Sequence, residues 1–103
     1  MLIKYYHKGI EFFLDSLESK VRAKVDSIIQ LLSIREYHLS LPYSRKIESN
    51  LYELRVSGLQ NIRIFYTFYE DNVVLLLAIN KKTQKLKWEN LNTCRKRLRS
   101  LHS

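Results

Sequence analysis

The apolar residues of this chain change their spacing near residue 51, and this change constrains the fold more than any other feature. Before it, apolar residues recur every three or four positions, as one face of an α-helix requires. The first such stripe contains Ile10, Phe13, Leu14 and Leu17, and the second contains Val21, Val25, Ile28, Ile29 and Leu32. After residue 51 apolar and polar residues alternate, as in strands with one buried face. The pattern predicts an α+β fold.

The remaining segments complete a single domain over residues 1–103. Residues 3–6 form a short first strand, and three β-rich runs follow at 51–57, 62–70 and 73–82. Residues 35–50 contain Pro42 and many polar side chains, so they are expected to cross the molecule irregularly. Trp88, Leu91, Cys94, Leu98 and Leu101 recur at helical spacing among lysines and arginines. They predict a basic amphipathic C-terminal helix.

Two short connections set the expected register of the sheet. A three-residue loop at 58–60 places Arg55 opposite Arg63, and a two-residue turn at Asp71 and Asn72 places Arg63 opposite Asn80. One face then collects alternating apolar residues for the core. The other face gathers four charged residues, Glu53, Arg55, Arg63 and Lys82. A slip of one residue would bury that charged set, so the apolar pattern supports this register.

The charge is concentrated near the C-terminus. The net charge is +8, and eight of the 18 basic residues, but only one of the ten acidic ones, follow residue 80. Such a pole attracts phosphate, an anionic membrane surface or an acidic protein, or it is simply a solvated helix face. A lone Cys94 and three scattered histidines predict neither a disulfide nor a metal site. The N-terminus has no secretory signal and no apolar run is long enough to span a membrane, so we expect a cytoplasmic protein.

The predicted pairing of Arg55 with Arg63 places like charges side by side, which costs several tenths of a kcal/mol or more. Two interpretations explain it. Glu53 offsets the repulsion as a structural ion pair, or Arg55, Arg63 and Lys82 converge on an anion such as a phosphodiester, which arginine binds through two parallel hydrogen bonds.

Three motifs suggest a family. Residues 51–57 (LYELRVS), 62–66 (IRIFY) and 80–85 (NKKTQK) together resemble the RelE/HigB superfamily of toxins from type II toxin-antitoxin systems, particularly its phage-derived HigB-like branch. The resemblance implies two N-terminal helices packed on a small, mainly antiparallel twisted sheet, followed here by the basic helix. It also implies an endoribonuclease that cuts messenger RNA on the ribosome without metal or cofactor and arrests translation. Its implied partners are the ribosome, mRNA and a cognate antitoxin, often a helix-turn-helix DNA-binding protein, but no membrane.

The resemblance carries site residues over by position. Arg55, Arg63 and Lys82 match basic residues that grip the scissile phosphate, where preorganised donors stabilise the charge of the transition state. Glu53 is either a general base or a buttress for the arginines. Lys81, Gln84, Lys85 and Trp88 are candidate substrate-binding residues. Trp88 stands where RelE-type toxins carry a tyrosine, and its indole can stack on a base but cannot transfer a proton.

Two other functions remain open from the sequence. The ParE branch shares this fold but inhibits gyrase without cutting RNA, and a non-catalytic RNA-binding module would also use a basic face. Convergence of Arg55, Arg63 and Lys82 favours the nuclease. Under that interpretation, Arg63→Ala should stop toxicity while leaving the fold intact, because the site lies on the polar face.

Overall fold

The computed structural model of the chain describes residues 1–82 and 87–103. Its elements are β1 (Leu2–Tyr5), α1 (Lys8–Asp15), α2 (Ser19–Arg35), a short 3-10 helix (Glu36–His38), β2 (Ser44–Glu48), β3 (Leu51–Val56), β4 (Ile62–Tyr69), β5 (Asn72–Asn80) and α3 (Trp88–Leu101). The predicted α+β class is confirmed, as are the two N-terminal helices and the C-terminal helix. The sheet separates α1 and α2 on one side from α3 on the other.

The sheet has five strands in the order β1-β5-β4-β3-β2. β1 runs parallel to β5, whereas the other three pairs are antiparallel, so the sheet is mixed and mainly antiparallel. The sequence did not predict β2, since residues 35–50 lack a clear apolar alternation. The reason is that β2 is an edge strand, paired only with β3 among the described residues, and Arg45 and Lys46 in it are exposed.

The two N-terminal helices cover the first face of the sheet. The α1 helix begins after His7, whose Nδ1 accepts a hydrogen bond from the Gly9 N–H at 2.8 Å. Both predicted helical stripes point into the core, although Phe13, Leu17 and Ile29 are only partly buried at its edge. The buried residues of this first core include Ile10, Leu14, Val25, Leu32, Leu54, Ile62, Ile64, Tyr66, Val73, Leu75 and Ala78.

The first strand hairpin has the predicted register, with Arg55 opposite Arg63. The second does not. Its turn is formed by Glu70 and Asp71, with φ of +50° and +61°, and Tyr69 pairs with Asn72. Two successive residues with positive φ are what a two-residue hairpin turn of the favoured twist requires.

An irregularity in β5 changes the register again. Tyr66 pairs with Leu75, but Phe65 pairs with Leu77, so Leu76 is an extra residue. Such a bulge moves every later side chain of the strand to the other face. Leu77 and Ile79, predicted for the first core, therefore pack in the second. Ala78, predicted for the second face, packs in the first core.

The α3 helix covers part of the second face of the sheet. Cys94 of α3 packs with Phe65, and both are fully buried. Phe65 therefore lies beneath the last helix and does not present its ring to a ligand. The second core contains Leu51, Phe65, Val74, Leu76 and Cys94, with Leu77, Ile79, Leu91, Leu98 and Leu101 packed against them. Over the described ranges, no helix is both long and apolar enough to cross a bilayer.

Candidate functional site

Three arginines from adjacent strands surround one glutamate on the second face of the sheet. We call Arg45 of β2, Arg55 of β3, Arg63 of β4 and Glu53 of β3 the arginine cluster. Arg45 lies opposite Glu53, and Arg55 lies opposite Arg63. Strand alternation puts all four side chains on one face, because residues two apart on a strand point the same way.

Glu53 is the centre of the cluster and is fully buried, with 0% exposure. Its Oε1 atom accepts a hydrogen bond from Arg45 Nε at 2.9 Å and lies 3.9 Å from Arg55 Nε. Within the described residues Oε2 has no hydrogen-bond partner. Removing a carboxylate from water costs several kcal/mol unless cations accompany it, so the arginines and Glu53 stabilise one another. The structure thus contains the ion pair that the first interpretation required.

Arg63 lies beneath the surface of the cluster. Its residue exposure is 6%, and its Nη1 donates to the carbonyl oxygens of Ile62 at 3.1 Å and Val56 at 3.4 Å. Burial lowers the pKa of Arg63; the nearby Arg55 and Arg45 lower this pKa further, while Glu53 raises it. Arginine nevertheless stays charged at neutral pH. The expectation that Arg63 stands on an open polar face is therefore wrong, and its removal will disturb packing as well as charge.

The other two arginines reach solvent. The side chains of Arg45 and Arg55 are 48% and 37% exposed. The cluster thus presents two guanidinium groups outward above a third, buried one. Its positive charge is held in place by strands and not by loops.

Arg45 is the member that the sequence analysis missed. A signal existed, since residues 44–48 precede a short turn at Ser49 and Asn50 and could form a hairpin with β3. Counting from that turn pairs Glu48 with Leu51, as observed, but it would also put Arg45 opposite Leu54. An irregularity between Lys46 and Glu48 shifts the register by one residue and brings Arg45 to Glu53. A sequence count without that bulge cannot find the contact.

The structure changes the role expected of the two strand-end lysines. Because of the bulge in β5, Arg63 pairs with Ile79 and not with Asn80 as predicted. The Lys81 N–H donates to the Asn61 carbonyl oxygen at 2.7 Å, which continues the ladder by one residue. Alternation then puts Lys81 on the side of Arg63. The predicted meeting of Lys82 with Arg55 and Arg63 on one face is wrong for this reason.

Trp88 is the first residue of α3 and is 63% exposed. The guanidinium of Arg95 lies 5.0 Å from the centre of its ring, a cation–π contact. The same Arg95 donates from Nε to Glu48 Oε1 at 3.0 Å, which ties α3 to the end of β2. The two remaining candidates, Gln84 and Lys85, lie outside the described residues.

Part of the C-terminal charge serves packing. Arg97 donates from Nη1 to the Leu76 carbonyl oxygen at 2.5 Å, and its guanidinium lies 5.3 Å from the ring centre of Tyr6. With Arg95 bound to Glu48, two arginines of α3 hold the helix on the sheet. Lys96 and Arg99 are exposed and contribute to the outer positive surface.

Comparison with known proteins identifies the family of this chain. A search among curated proteins found no significant match. A family model described as "Phage derived protein Gp49-like (DUF891)" matches residues 12–99, which include the second half of α1, all of α2, the arginine cluster and most of α3. Because the match covers most of the chain, this protein belongs to the Gp49-like family of phage-derived proteins, a RelE/HigB-like toxin family.

Proposed function

We propose that this protein is the toxin of a toxin-antitoxin pair and that it cleaves messenger RNA on the ribosome, which stops translation. The observation that carries the proposal is the arginine cluster, in which Arg45, Arg55 and Arg63 surround one buried carboxylate on a rigid sheet. The toxin-like family of the chain supports the same function. A cognate antitoxin, of the helix-turn-helix class, is the proposed neutralising partner.

The proposed reaction is an attack by the 2′-hydroxyl of the RNA on its adjacent phosphate. The bond from phosphorus to the 5′-oxygen then breaks, leaving a cyclic phosphate and a free 5′-hydroxyl. Negative charge accumulates on the phosphate oxygens, so donors that are already in place lower the barrier. In this protein the side chain of Arg55 is partly exposed and can bind those oxygens directly, while the buried Arg63 adds positive potential from beneath. Lys81 is the strand-end lysine on the same side of the sheet.

The cluster supplies positive charge but no group that can transfer a proton. Arginine cannot release its proton at neutral pH, and Glu53 is fully buried, so its carboxylate does not reach a ribose hydroxyl. Trp88 has no exchangeable proton of suitable acidity. Charge stabilisation alone is worth about 10²- to 10³-fold per donor. This observation also favours a second candidate, a toxin that binds RNA through the same arginines and blocks translation without cutting.

Inducible expression with mapping of transcript 5′ ends tests the proposal. Wild-type protein should arrest growth and create new 5′ ends inside coding regions. Arg55→Ala removes an exposed donor and should reduce both effects by about 10²-fold or more. Arg99→Ala is the matched control, since it removes an exposed arginine from the outer side of α3, and it should behave like the wild type.

The outcomes separate the functional classes. Translational arrest without new 5′ ends would identify the non-catalytic RNA-binding toxin. Loss of DNA supercoiling in the arrested cells, with translation intact, would identify a gyrase inhibitor of the ParE type and would overturn the proposal. Equal toxicity of Arg55→Ala and wild type would exclude the arginine cluster as the site.

A further inference from the structure

The arginine cluster contains an exposed cation whose orientation is set by a residue that no substrate can touch. Arg45 is held through Nε by Glu53 at 2.9 Å, and its side chain is 48% exposed. A guanidinium has five N–H donors in a planar fork, and the bond to Glu53 uses only the one on Nε. The two terminal nitrogens are therefore left to form the two parallel bonds by which arginine binds a phosphate.

Glu53 acts on two exposed arginines at once. Its Oε1 lies within 3.9 Å of the Nε atoms of both Arg45 and Arg55. A carboxylate shared in this way reduces the repulsion between the two guanidinium groups. Its hydrogen bond fixes the direction of Arg45, whereas Arg55, at 3.9 Å, is held by charge alone. With 0% exposure, Glu53 itself lies below the surface that RNA would contact.

The backbone favours the same arrangement. The bulge between Lys46 and Glu48 places Arg45 opposite Glu53, and β2 pairs with β3 as an edge strand. Bulges frequently re-aim a side chain toward a functional site. Without this bulge, Arg45 would lie opposite Leu54 and point to the first face of the sheet, away from Glu53.

We infer that Arg45 is a further RNA phosphate-binding residue of this site and that Glu53 is a positioning residue, which orients Arg45, offsets the charge of Arg55 and transfers no proton. This inference rests on the proposed function. It adds a third strand to the RNA-binding surface, which then extends from Arg55 toward the edge of the sheet.

Binding and cleavage are measured separately to test it. Binding uses programmed ribosomes whose mRNA carries a 2′-deoxynucleotide at the cleavage position, so that no attack can occur. Arg45→Ala should weaken binding about 10-fold or more, as expected for loss of a charged hydrogen-bond partner. It should also lower the slope of log affinity against log salt by about 0.7–0.9, the contribution of one phosphate contact.

Lys46→Ala is the matched control, because Lys46 is an exposed cation next to Arg45 that points to the first face of the sheet. It should leave the salt slope at the wild-type value. An Arg45→Lys variant keeps the charge but loses the planar fork. Its salt slope should stay near that of the wild type while its affinity falls. Equal slopes for wild type and Arg45→Ala would overturn the assignment of Arg45.

The role of Glu53 is tested on cleavable mRNA with Glu53→Gln, which keeps the side-chain volume. A positioning role predicts a higher KM and an unchanged pH dependence of the cleavage rate. It also predicts that Glu53→Gln and Arg45→Ala are not additive in KM, because one acts through the other. If Glu53 were a general base, Glu53→Gln would instead lower kcat by about 10²- to 10⁴-fold and remove the acidic limb of the pH profile. That result would overturn the inference.

Failure of this inference is distinguishable from failure of the proposed function. If wild-type protein cuts mRNA but Arg45→Ala has the wild-type salt slope, only the inference fails. If wild-type protein cuts no mRNA, the proposed function fails, while the same salt titration on ribosomes with unmodified mRNA still decides whether Arg45 contacts phosphate. Should Glu53→Gln not fold, as judged by its thermal unfolding, the Arg45→Lys variant alone still tests the assignment.

Discussion

The two ends of the sheet's second face differ in chemistry, although the same strands build both. At the covered end, Leu51 and Phe65 pack under α3 and are fully buried. At the other end, Glu53, Arg55 and Arg63 form the arginine cluster with Arg45. Along β3, Leu51 is two residues from Glu53, and along β4, Phe65 is two residues from Arg63.

This closeness explains how a cluster of like charges keeps its shape. The apolar end fixes the register of β3 and β4, since a one-residue slip would move Phe65 out of the second core. The charged end has the same register because it lies on the same two strands, so ordering its backbone costs no further chain entropy. A site built on strands in this way is held more rigidly than one built on loops.

The largest expected effect is a difference in the free energy of unfolding between two alanine variants, one at each end of this face. Phe65→Ala leaves a cavity beneath α3 and should lower the free energy of unfolding by about 3–5 kcal/mol. Arg55→Ala removes a partly exposed cation that lies 3.9 Å from the buried Glu53, but Arg45 still pairs with that carboxylate, so the loss should be only about 1 kcal/mol. Urea unfolding of both variants beside the wild type measures the difference. A loss for Arg55→Ala as large as that for Phe65→Ala would show that the cluster is part of the stabilising core.

The covered end should also show a distinct response to alkaline pH. Burial raises the pKa of the Cys94 thiol to about 12 from its ordinary value of 9.0. The unfolded chain therefore loses this proton first, so the contribution of Cys94 to stability is complete below pH 9.0 and declines as the pH rises toward 12. The loss should reach about 1 kcal/mol by pH 10.

Denaturant unfolding between pH 8 and pH 10 measures this dependence. The Cys94→Ala variant is the control, and its stability should fall less steeply over the same range. Tyr66 contributes to the residual slope of both proteins, since burial raises its pKa as well. Native protein should also react with a thiol reagent only after unfolding. Identical slopes for the two proteins would place Cys94 in contact with solvent.

The smallest expected effect concerns the turn that joins β4 to β5. Glu70 and Asp71 both have positive φ, which side chains with a Cβ rarely adopt without cost. Replacing them together by Asn and Gly should stabilise the protein by about 0.5–1 kcal/mol, because that pair favours this turn. The cluster lies at the opposite end of β4, so RNA cleavage should be unchanged. Thermal unfolding measures the gain, and Asp71→Ala, which keeps the Cβ, should give none.

Local pattern and loop length predicted much of the fold. The helical stripes that include Leu14 and Val25, and the pairing of Arg55 with Arg63, depend on periodicity and on one short loop, and both are confirmed. The function assigned to Arg55, Arg63 and Glu53 remains a proposal. The edge strand β2 was not predicted, because an edge strand with exposed polar residues carries no alternating signal.

Two β-bulges could not be predicted from the sequence. The extra residue Leu76 lets both Leu76 and Leu77 pack against α3, and the irregularity near Ile47 turns Arg45 toward Glu53. Each depends on what covers both faces of the sheet, which no count along a single strand contains. A wrong register at the second hairpin therefore placed Lys82, and not Lys81, beside the arginines.

By itself, the amino-acid sequence determined the α+β class, the inward faces of α1 and α2 and the opposition of Arg55 and Arg63, because each follows from spacing along the chain. Tertiary structure alone decided that Glu53 is buried, that Arg63 lies beneath the surface and that Arg45 completes the cluster. Those properties depend on contacts between segments distant in sequence, where the packing of α3 and the two bulges select one register among several that the local pattern allows.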